Sequence, residues 1–144
     1  MATYYVDATG GNDGDTGLSP TAAWQTIAHV NAQAFNAGDS ILFKRGETWT
    51  GTALVPPSNG ALNNHVLIAD YGSGALPIID GNDVSNCINV SGRAYITIQN
   101  MELTQGLDFG IVADDVAGTP ASYIYIYDCI VHDCGNDNVI FIDR

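Results

Sequence analysis

Positive charge is the scarcest feature of this 144-residue chain. It has four Lys and Arg against 16 Asp and Glu, a formal net charge of −12. Because phosphates and anionic lipid headgroups are bound by basic surfaces, we expect neither nucleic-acid nor membrane partners. No apolar run approaches the roughly 18 residues of a membrane span. The sequence has no basic segment followed by an apolar one, which is the pattern that would indicate an export signal.

Cysteine is also scarce. Cys87, Cys129 and Cys134 are too few for a disulfide framework, and the odd count leaves at least one thiol unpaired or intermolecular. Burial as small hydrophobic side chains is the simpler interpretation. A chain of this length buries roughly two-thirds of its unfolded surface, so it can build a core without disulfides.

Glutamate is rare as well, and its rarity argues against a helical protein. Only Glu47 and Glu102 are Glu, the other acids are Asp, and Gly occurs 16 times. Asp and Gly are typical of turns and strand ends, which indicates a β-rich chain. Ser19 and Pro20 are a helix-start signal. With apolar residues at helical spacing after them, they predict one short helix over residues 21–34.

Short strands recur along the rest of the chain. Segments 66–70, 96–100 and 124–128 share the pattern aliphatic, any, aliphatic, any, Asn or Asp, and follow one another at nearly equal intervals. A weaker copy at 41–43 precedes the first segment by a slightly shorter interval. Repeats of this kind without helices predict an all-β coil of parallel strands, in which each turn stacks on the one before. Asp70, Asn100 and Asp128 then become candidates for a hydrogen-bonded ladder at one turn.

The N-terminal half resembles a known family. The matching segments are 4–7, 11–13, 17–20, 24–27 and 38–46. They are similar to the N-terminus of right-handed parallel β-helix proteins of the pectate-lyase-like superfamily, which includes secreted polysaccharide lyases and glycoside hydrolases. The resemblance covers residues 4–81 by motif and the remainder by repeat pattern. It implies a β-helix in which residues 1–39 form a strand, a loop and a capping helix and residues 40–144 form the rungs.

The C-terminal end lacks a recognisable cap. The sequence stops at Ile142–Arg144, directly after a predicted strand. An uncapped rung exposes strand edges and apolar side chains that can template another chain. We therefore expect either a truncated β-helix or one completed by self-association.

A Gly-rich loop provides the candidate metal ligands Asp7, Asn12, Asp13 and Asp15. Hard cations such as Ca²⁺ take six to eight oxygen ligands, which closely spaced carboxylates and carbonyls can supply. A solvated acidic turn is the alternative interpretation.

Candidate catalytic groups are few. A lyase acting on uronic acids needs a cation beside the substrate carboxylate and a base, but the net charge of −12 opposes a polyanionic substrate. A glycosidase needs two carboxylates about 5–9 Å apart. The candidates are Asp114 and Asp115, together with His132 and Asp133. Adjacent strand residues point to opposite faces, so only one of Asp114 and Asp115 can face a given groove.

Tyrosines form the most informative surface. In strand 122–127, Ile124 and Ile126 are predicted to point inward, which places Tyr123, Tyr125 and Tyr127 outward. Tyr95 occupies the same outward column one repeat earlier. Such a face can stack on sugar rings or anchor a protein partner, with Arg93 nearby as a further substrate-binding candidate. Ordinary cross-strand pairing of aromatics is the alternative.

Two functions follow from these features. The first is a secreted protein that binds, and in its complete form degrades, a polysaccharide; the enzymatic part is implied by the resemblance alone. Met1–Thr3 directly before an apolar strand fits a mature secreted start with an added initiator Met. The second is a structural β-helix that assembles into a fibre, adhesin or stalk without catalysis.

Overall fold

The computed structural model describes residues 1–141, and strands dominate them. The strands are β1 Thr3–Val6, β2 Ser40–Lys44, β3 Thr48–Thr50, β4 Val66–Tyr71, β5 Ile78–Asp80, β6 Ile88–Asn89, β7 Ala94–Gln99, β8 Glu102–Thr104, β9 Phe109–Ala113, β10 Ser122–Tyr127, β11 Ile130–His132 and β12 Asp137–Phe141. A 3₁₀ turn spans Pro20–Ala22 and the helix α1 spans Ile27–Asn31. Among the described residues, no helix has the length and apolar character of a membrane span.

The strands stack into three parallel sheets. Sheet A has the order β1-β2-β4-β7-β10, sheet B the order β3-β5-β8-β11, and sheet C the order β6-β9-β12. β1 adds a strand to sheet A alone, and β2 and β3 add strands to sheets A and B. Each of the following three turns adds one strand to each sheet, giving a coil of about four turns. The parallel β-helix predicted from the repeats is therefore confirmed.

Aliphatic rows form the core between the sheets. In sheet A, Ile41 pairs with Ile68 and Ile68 with Ile98, and all three side chains are fully buried. The sequence pattern aligns Ile41 with Val66 instead, which is wrong by one inward position. A slip from one inward residue to the next keeps every inward side chain inward, so the period-2 pattern alone cannot detect it.

The helix is shorter than predicted. The expected span 21–34 divides into the 3₁₀ turn and α1, because Trp24 between them is extended and forms a parallel bridge with Val6. Ile27 and Val30 of α1 are buried in the core. The Asn31 amide accepts from the Val55 N–H at 2.9 Å and donates to the Ala53 carbonyl at 2.9 Å. One side chain thus satisfies backbone groups that would otherwise be unpaired at the first edge of sheet C.

The predicted ladder of turn residues is present at its first step. Asn100 Nδ2 donates to Asp70 Oδ1 at 2.9 Å, and Asp70 Oδ2 accepts from Arg45 Nε. Asn100 and Asp128 both have left-handed φ values, 54° and 50°. Asn and Asp tolerate this conformation better than most residues, which explains their recurrence at the corner between sheets A and B.

The last described turn has partners on one side only. Within residues 1–141, β10, β11 and β12 are end strands of their sheets. Ile124 and Ile126 are half-buried, whereas Ile96 and Ile98 one turn earlier are fully buried. Residues 142–144, on which the expected uncapped end was based, lie outside the described part. Self-association stays a prediction.

Candidate functional site: an aromatic face beside an arginine cleft

Five aromatic side chains cover one end of the outer surface of sheet A, and we call them the tyrosine face. They are His65, Tyr95, Tyr123, Tyr125 and Tyr127. The predicted outward direction of the three β10 tyrosines is confirmed, since their side chains are 55%, 45% and 52% exposed. Such large exposed aromatic surface on adjoining strands is typical of a binding site.

The rings of the tyrosine face are ordered by stacking across the strands. The Tyr95 and Tyr123 rings are parallel within 3°, with centroids 4.5 Å apart. The His65 ring stacks on Tyr125 at 5.0 Å and meets the edge of Tyr95 at 5.6 Å. His65 Nδ1 also shares a hydrogen bond with Thr97 Oγ1 at 3.0 Å. The rings therefore form one preorganised apolar surface with hydroxyl groups on it.

Two of these tyrosines have unusual backbones. Tyr95 and Tyr123 have φ values of 58° and 54°, a left-handed conformation that is rare for aromatic residues and costs about 1–3 kcal/mol. Tyr95 and Tyr123 occupy equivalent positions in consecutive turns, in β7 and β10. The same strained backbone therefore sets the direction of both stacked rings. Strain of this kind clusters at ligand-binding positions.

Sequence reasoning missed His65. A single His before a strand carries no functional pattern by itself. Its position directly before Val66 matches that of Tyr95 directly before Ile96, and Val66 pairs with Ile96. The repeat alignment therefore contains the signal, because it extends the outward column of Tyr95 and Tyr123 to His65 one turn earlier.

A cleft adjoins the tyrosine face at the start of β7. Its volume is about 340 Å³, and its lining residues are Asn59, Ser91, Gly92, Arg93, Val116 and Thr119. Arg93 lies two positions before Tyr95, and its carbonyl accepts from the Ser122 N–H at 3.0 Å, directly before Tyr123. The predicted substrate-binding residue Arg93 and the tyrosines are thus neighbours.

A larger groove, about 410 Å³, lies between α1 and sheet B. Its lining is Ala8, Gln25, Thr26, Ile27, Ala28, Thr48, Trp49, Thr50 and Thr52. No side chain in this lining titrates near neutral pH, so the groove offers neither an acid nor a base. The tyrosine face and the Arg93 cleft therefore remain the stronger candidate for a functional site.

His132 joins two carboxylates on the outer surface of sheet B. Its Nδ1 lies 2.7 Å from Asp133 Oδ2, and its Nε2 lies 3.0 Å from Glu102 Oε1. The hydrogen bonds to Asp133 and to Glu102 raise the pKa of His132 above its ordinary value. Glu102 was not predicted from sequence, because it lies one full turn earlier in the chain and meets His132 only through the pairing of β8 with β11.

The raised pKa of His132 can be tested by titration. We expect NMR titration to give His132 a pKa above 6.5, and Glu102→Gln to lower it, because one of the two carboxylates is then lost. Since the folded pKa is raised, the contribution of His132 to stability is present below pH 6.5 and disappears as the pH rises through the folded pKa. A His132 pKa at or below 6.5 in the wild type would contradict the paired geometry.

Asp114 and Asp115 lie elsewhere. The sequence pattern predicts them on a strand, but β9 ends at Ala113, so strand alternation does not apply to them. Asp114 Oδ1 accepts from the Asp115 N–H, and Asp115 Oδ1 accepts from the Gly118 N–H, both at 2.7 Å. The two carboxylates shape the β9–β10 turn, whereas His132 and Asp133 lie at the end of β11. The two predicted catalytic pairs therefore lie at the ends of different strands, β9 and β11.

The acidic loop holds its side chains through protein contacts. Asp7 accepts from Lys44 Nζ at 2.7 Å and from two backbone N–H groups, those of Thr9 and Gly10. Burial raises the pKa of Asp7, but these hydrogen bonds outweigh it and the net pKa is lowered.

Asp13, in the same loop, contacts the start of the helical segment. It accepts from the Gln25 and Thr26 N–H groups and from Thr26 Oγ1, at 2.6–2.9 Å. Asn12 Oδ1 accepts from the Gly14 N–H at 2.8 Å. Asp15 accepts from Trp24 Nε1 through its backbone carbonyl at 3.0 Å.

These contacts do not fit a shared cation site. The loop side chains bind separate protein donors, and residues 1–141 bring no three His, Cys, Asp or Glu side chains together in an arrangement that could hold a metal ion. The expected Ca²⁺ site at Asp7, Asn12, Asp13 and Asp15 gains no support from this geometry and stays a prediction.

Comparison with known proteins identifies relatives of the fold. No protein-family model matches the sequence. The chain is 26% identical over 129 residues to a lacto-N-biosidase from Bifidobacterium longum subsp. longum, in an alignment that covers 71% of this chain and 8% of that protein. It is also similar to the crystal structure of the GH136 lacto-N-biosidase from Eubacterium ramulus. The native protein aligns with a TM-score of 0.73 and 20% identity, over 96% of this chain and 30% of that one.

The selenomethionine derivative of the same Eubacterium protein aligns with a TM-score of 0.65 and 18% identity, over 96% of this chain and 26% of that one. The chain therefore spans less than a third of each relative. The likeness shows a shared β-helix fold, and the membership of the pectate-lyase-like superfamily stays a prediction.

Proposed function

We propose that the chain is part of a secreted, glycoside-hydrolase-related β-helix that binds a carbohydrate on its tyrosine face. The observation that carries this proposal is the set of exposed, mutually stacked rings on consecutive strands. The relatives add support, since those named above are lacto-N-biosidases.

Sugar binding follows from the chemistry of this face. The C–H faces of a sugar ring are apolar and pack on the exposed sides of the stacked rings, while the tyrosine hydroxyls bond sugar hydroxyls. Adjacent strands of a sheet lie about 4.8 Å apart, so rings at successive turns offer repeated contacts along a glycan. The fixed stacking lowers the entropy that must be lost on binding.

The enzymatic part of the proposal concerns sheet B. Glycoside hydrolysis requires two carboxyl groups, one of which transfers a proton. Glu102 and Asp133 both bond the His132 ring, which places two carboxylates beside an imidazole whose pKa they raise above its ordinary value. We assign acid–base roles to this cluster in preference to Asp114 and Asp115, whose carboxylates accept backbone N–H groups of their own turn.

Tyr125→Ala is expected to weaken glycan binding by about tenfold or more, because it removes an exposed ring and the partner of His65. Binding of neutral and acidic oligosaccharides is measured by isothermal titration calorimetry. Ile130→Ala is the matched control, since it removes a 51% exposed apolar side chain of the same turn on sheet B. Equal affinities of Tyr125→Ala and the wild type would contradict the proposal.

The assembly function predicts a different outcome. The end position of β10, β11 and β12 within residues 1–141 favours it. If Tyr125→Ala changes the oligomeric state in sedimentation while leaving glycan affinity intact, the tyrosine face is an interface between protein chains.

A further inference from the structure

We infer that the Arg93 cleft is a subsite for a single carboxylate-bearing sugar within an otherwise neutral glycan. The inference rests on the proposed sugar-binding function and names the chemistry that this function selects. Its basis is the state of the Arg93 guanidinium.

Arg93 differs from the other described basic side chains in its charge partners. Lys44 Nζ bonds Asp7, and Arg45 Nε bonds Asp70. Among residues 1–141, no ion pair joins Arg93 to a carboxylate. In a chain with a net charge of −12, a cation without a carboxylate partner is conspicuous.

The Arg93 side chain also has an unsatisfied donor. Its Nε is buried and has no hydrogen-bond partner within the described chain. A buried donor without a partner costs about 1–3 kcal/mol, so native proteins rarely retain one without a reason. Arg93 also lines the cleft, and the guanidinium fork matches a carboxylate in two parallel hydrogen bonds.

The surroundings of Arg93 suit a sugar better than a free ion. Asn59, Ser91 and Thr119 line the cleft with uncharged hydrogen-bonding groups. Its volume of about 340 Å³ lies near the lower end of the roughly 300–1,000 Å³ typical of ligand pockets. The Val116 side chain supplies an apolar contact, close to Gly92.

The cleft and the tyrosine face are held together by the backbone. Asn59 Oδ1 accepts from the Ala94 N–H at 3.2 Å, and the Gly60 N–H donates to the Ala94 carbonyl at 3.0 Å. A Cβ at Gly60 would lie 2.3 Å from the Tyr95 carbonyl oxygen, so only glycine allows this approach. A glycan bound along the exposed sides of Tyr95 and Tyr123 can therefore reach the cleft at its end.

The net charge of the chain limits how many carboxylates the glycan can carry. Long-range repulsion from an acidic protein disfavours a polyanion. One carboxylate bound by a guanidinium escapes most of this repulsion, because the pair is local. Binding of a single acidic sugar within a neutral glycan is therefore compatible both with the Arg93 cation and with the acidic composition of the protein.

The test compares probes that differ in one group. Methyl β-glucuronide and methyl β-glucoside share a ring and differ in the carboxylate at C6, and acetate presents the carboxylate without a ring. NMR titration of ¹⁵N-labelled protein follows the Arg93 Nε–H and the tyrosine ring resonances. We expect the glucuronide to bind at least about tenfold more tightly than the glucoside and to shift the Arg93 Nε–H, with acetate binding more weakly than the glucuronide.

Variants of Arg93 distinguish the contribution of the guanidinium to binding from an effect on folding. Arg93→Gln is expected to lower the affinity for the glucuronide at least about tenfold, and to bring the ratio of glucuronide to glucoside affinity close to one. Arg93→Lys keeps the charge without the fork and should give an intermediate affinity. The wild-type shift of the Nε–H needs no variant, so the test holds even if Arg93→Gln does not fold.

Each other outcome overturns the inference in a distinguishable way. Equal binding of glucuronide and glucoside at the tyrosines, without an Arg93 shift, removes the carboxylate subsite and leaves the proposed function in place. Acetate binding as tightly as the glucuronide assigns the cleft to free anions. If neither sugar shifts the tyrosine resonances, the proposed function fails with it.

Discussion

Replacing Leu103 with alanine is expected to lower the free energy of unfolding by about 2–5 kcal/mol. Leu103 is fully buried in sheet B, where it pairs with Ile79 on one side and Val131 on the other. Both flanking strands are hydrogen-bonded to β8, so the backbone cannot close the cavity that the substitution leaves. A core made of stacked rows relaxes poorly around a missing side chain.

Urea denaturation followed by circular dichroism measures the effect of Leu103→Ala. Ile130→Ala serves as the control, because Ile130 lies on the adjacent strand but is 51% exposed. Its loss should stay within about 0.5 kcal/mol. Similar losses for the two variants would show that the stacked rows do not carry the stability of this fold.

Asp7→Ala is expected to cost about 3 kcal/mol of folding free energy. The Asp7 side chain is nearly inaccessible, at 5% exposure of the residue, and accepts hydrogen bonds from Lys44 and from the Thr9 and Gly10 N–H groups. Its removal leaves two backbone donors and one ammonium group without their acceptor. Asp7 also follows β1 directly, so the lost contacts lie where the first turn of the coil is fixed.

Asp15→Ala is the control for Asp7→Ala, since the exposed Asp15 side chain can be removed while its carbonyl still accepts from Trp24. The pKa of Asp7 is lowered in the folded state. Its contribution to stability is therefore present above pH 3.8 and disappears as the pH falls through the lower folded value. Asp7→Ala should accordingly flatten the acid limb of a stability–pH curve, and an unchanged acid limb would contradict the assignment.

Most of the strand pairing and side-chain directions that could be predicted follow from the repeat. Pairings of Val66 with Ile96 and of Ile96 with Ile124 followed from sequence and are confirmed. The outward tyrosines followed from the same alternation. These features depend on period-2 patterning and on the regular spacing of the later turns, which the sequence displays directly.

Other features depend on contacts that no local pattern encodes. The helix prediction ran through Trp24 because the spacing fitted, but the bridge to Val6 takes this residue out of the helix. The meeting of Glu102 with His132 arises from pairing between turns. The missing partner of Arg93 Nε is visible only when the surrounding side chains are placed.

The last two turns repeat with a constant spacing. Ala94 pairs with Ser122, Glu102 with Ile130, and Phe109 with Asp137, so all three sheets advance by the same interval. The left-handed positions recur at that interval too, at 95 and 123, 100 and 128, and 105 and 133. Residues 94–121 therefore form one complete repeat unit of the coil. Its tandem duplication would lengthen the molecule by one layer of about 4.8 Å and add one more ring to the Tyr95–Tyr123 column, so that the reach of the binding surface is a modular property of the gene.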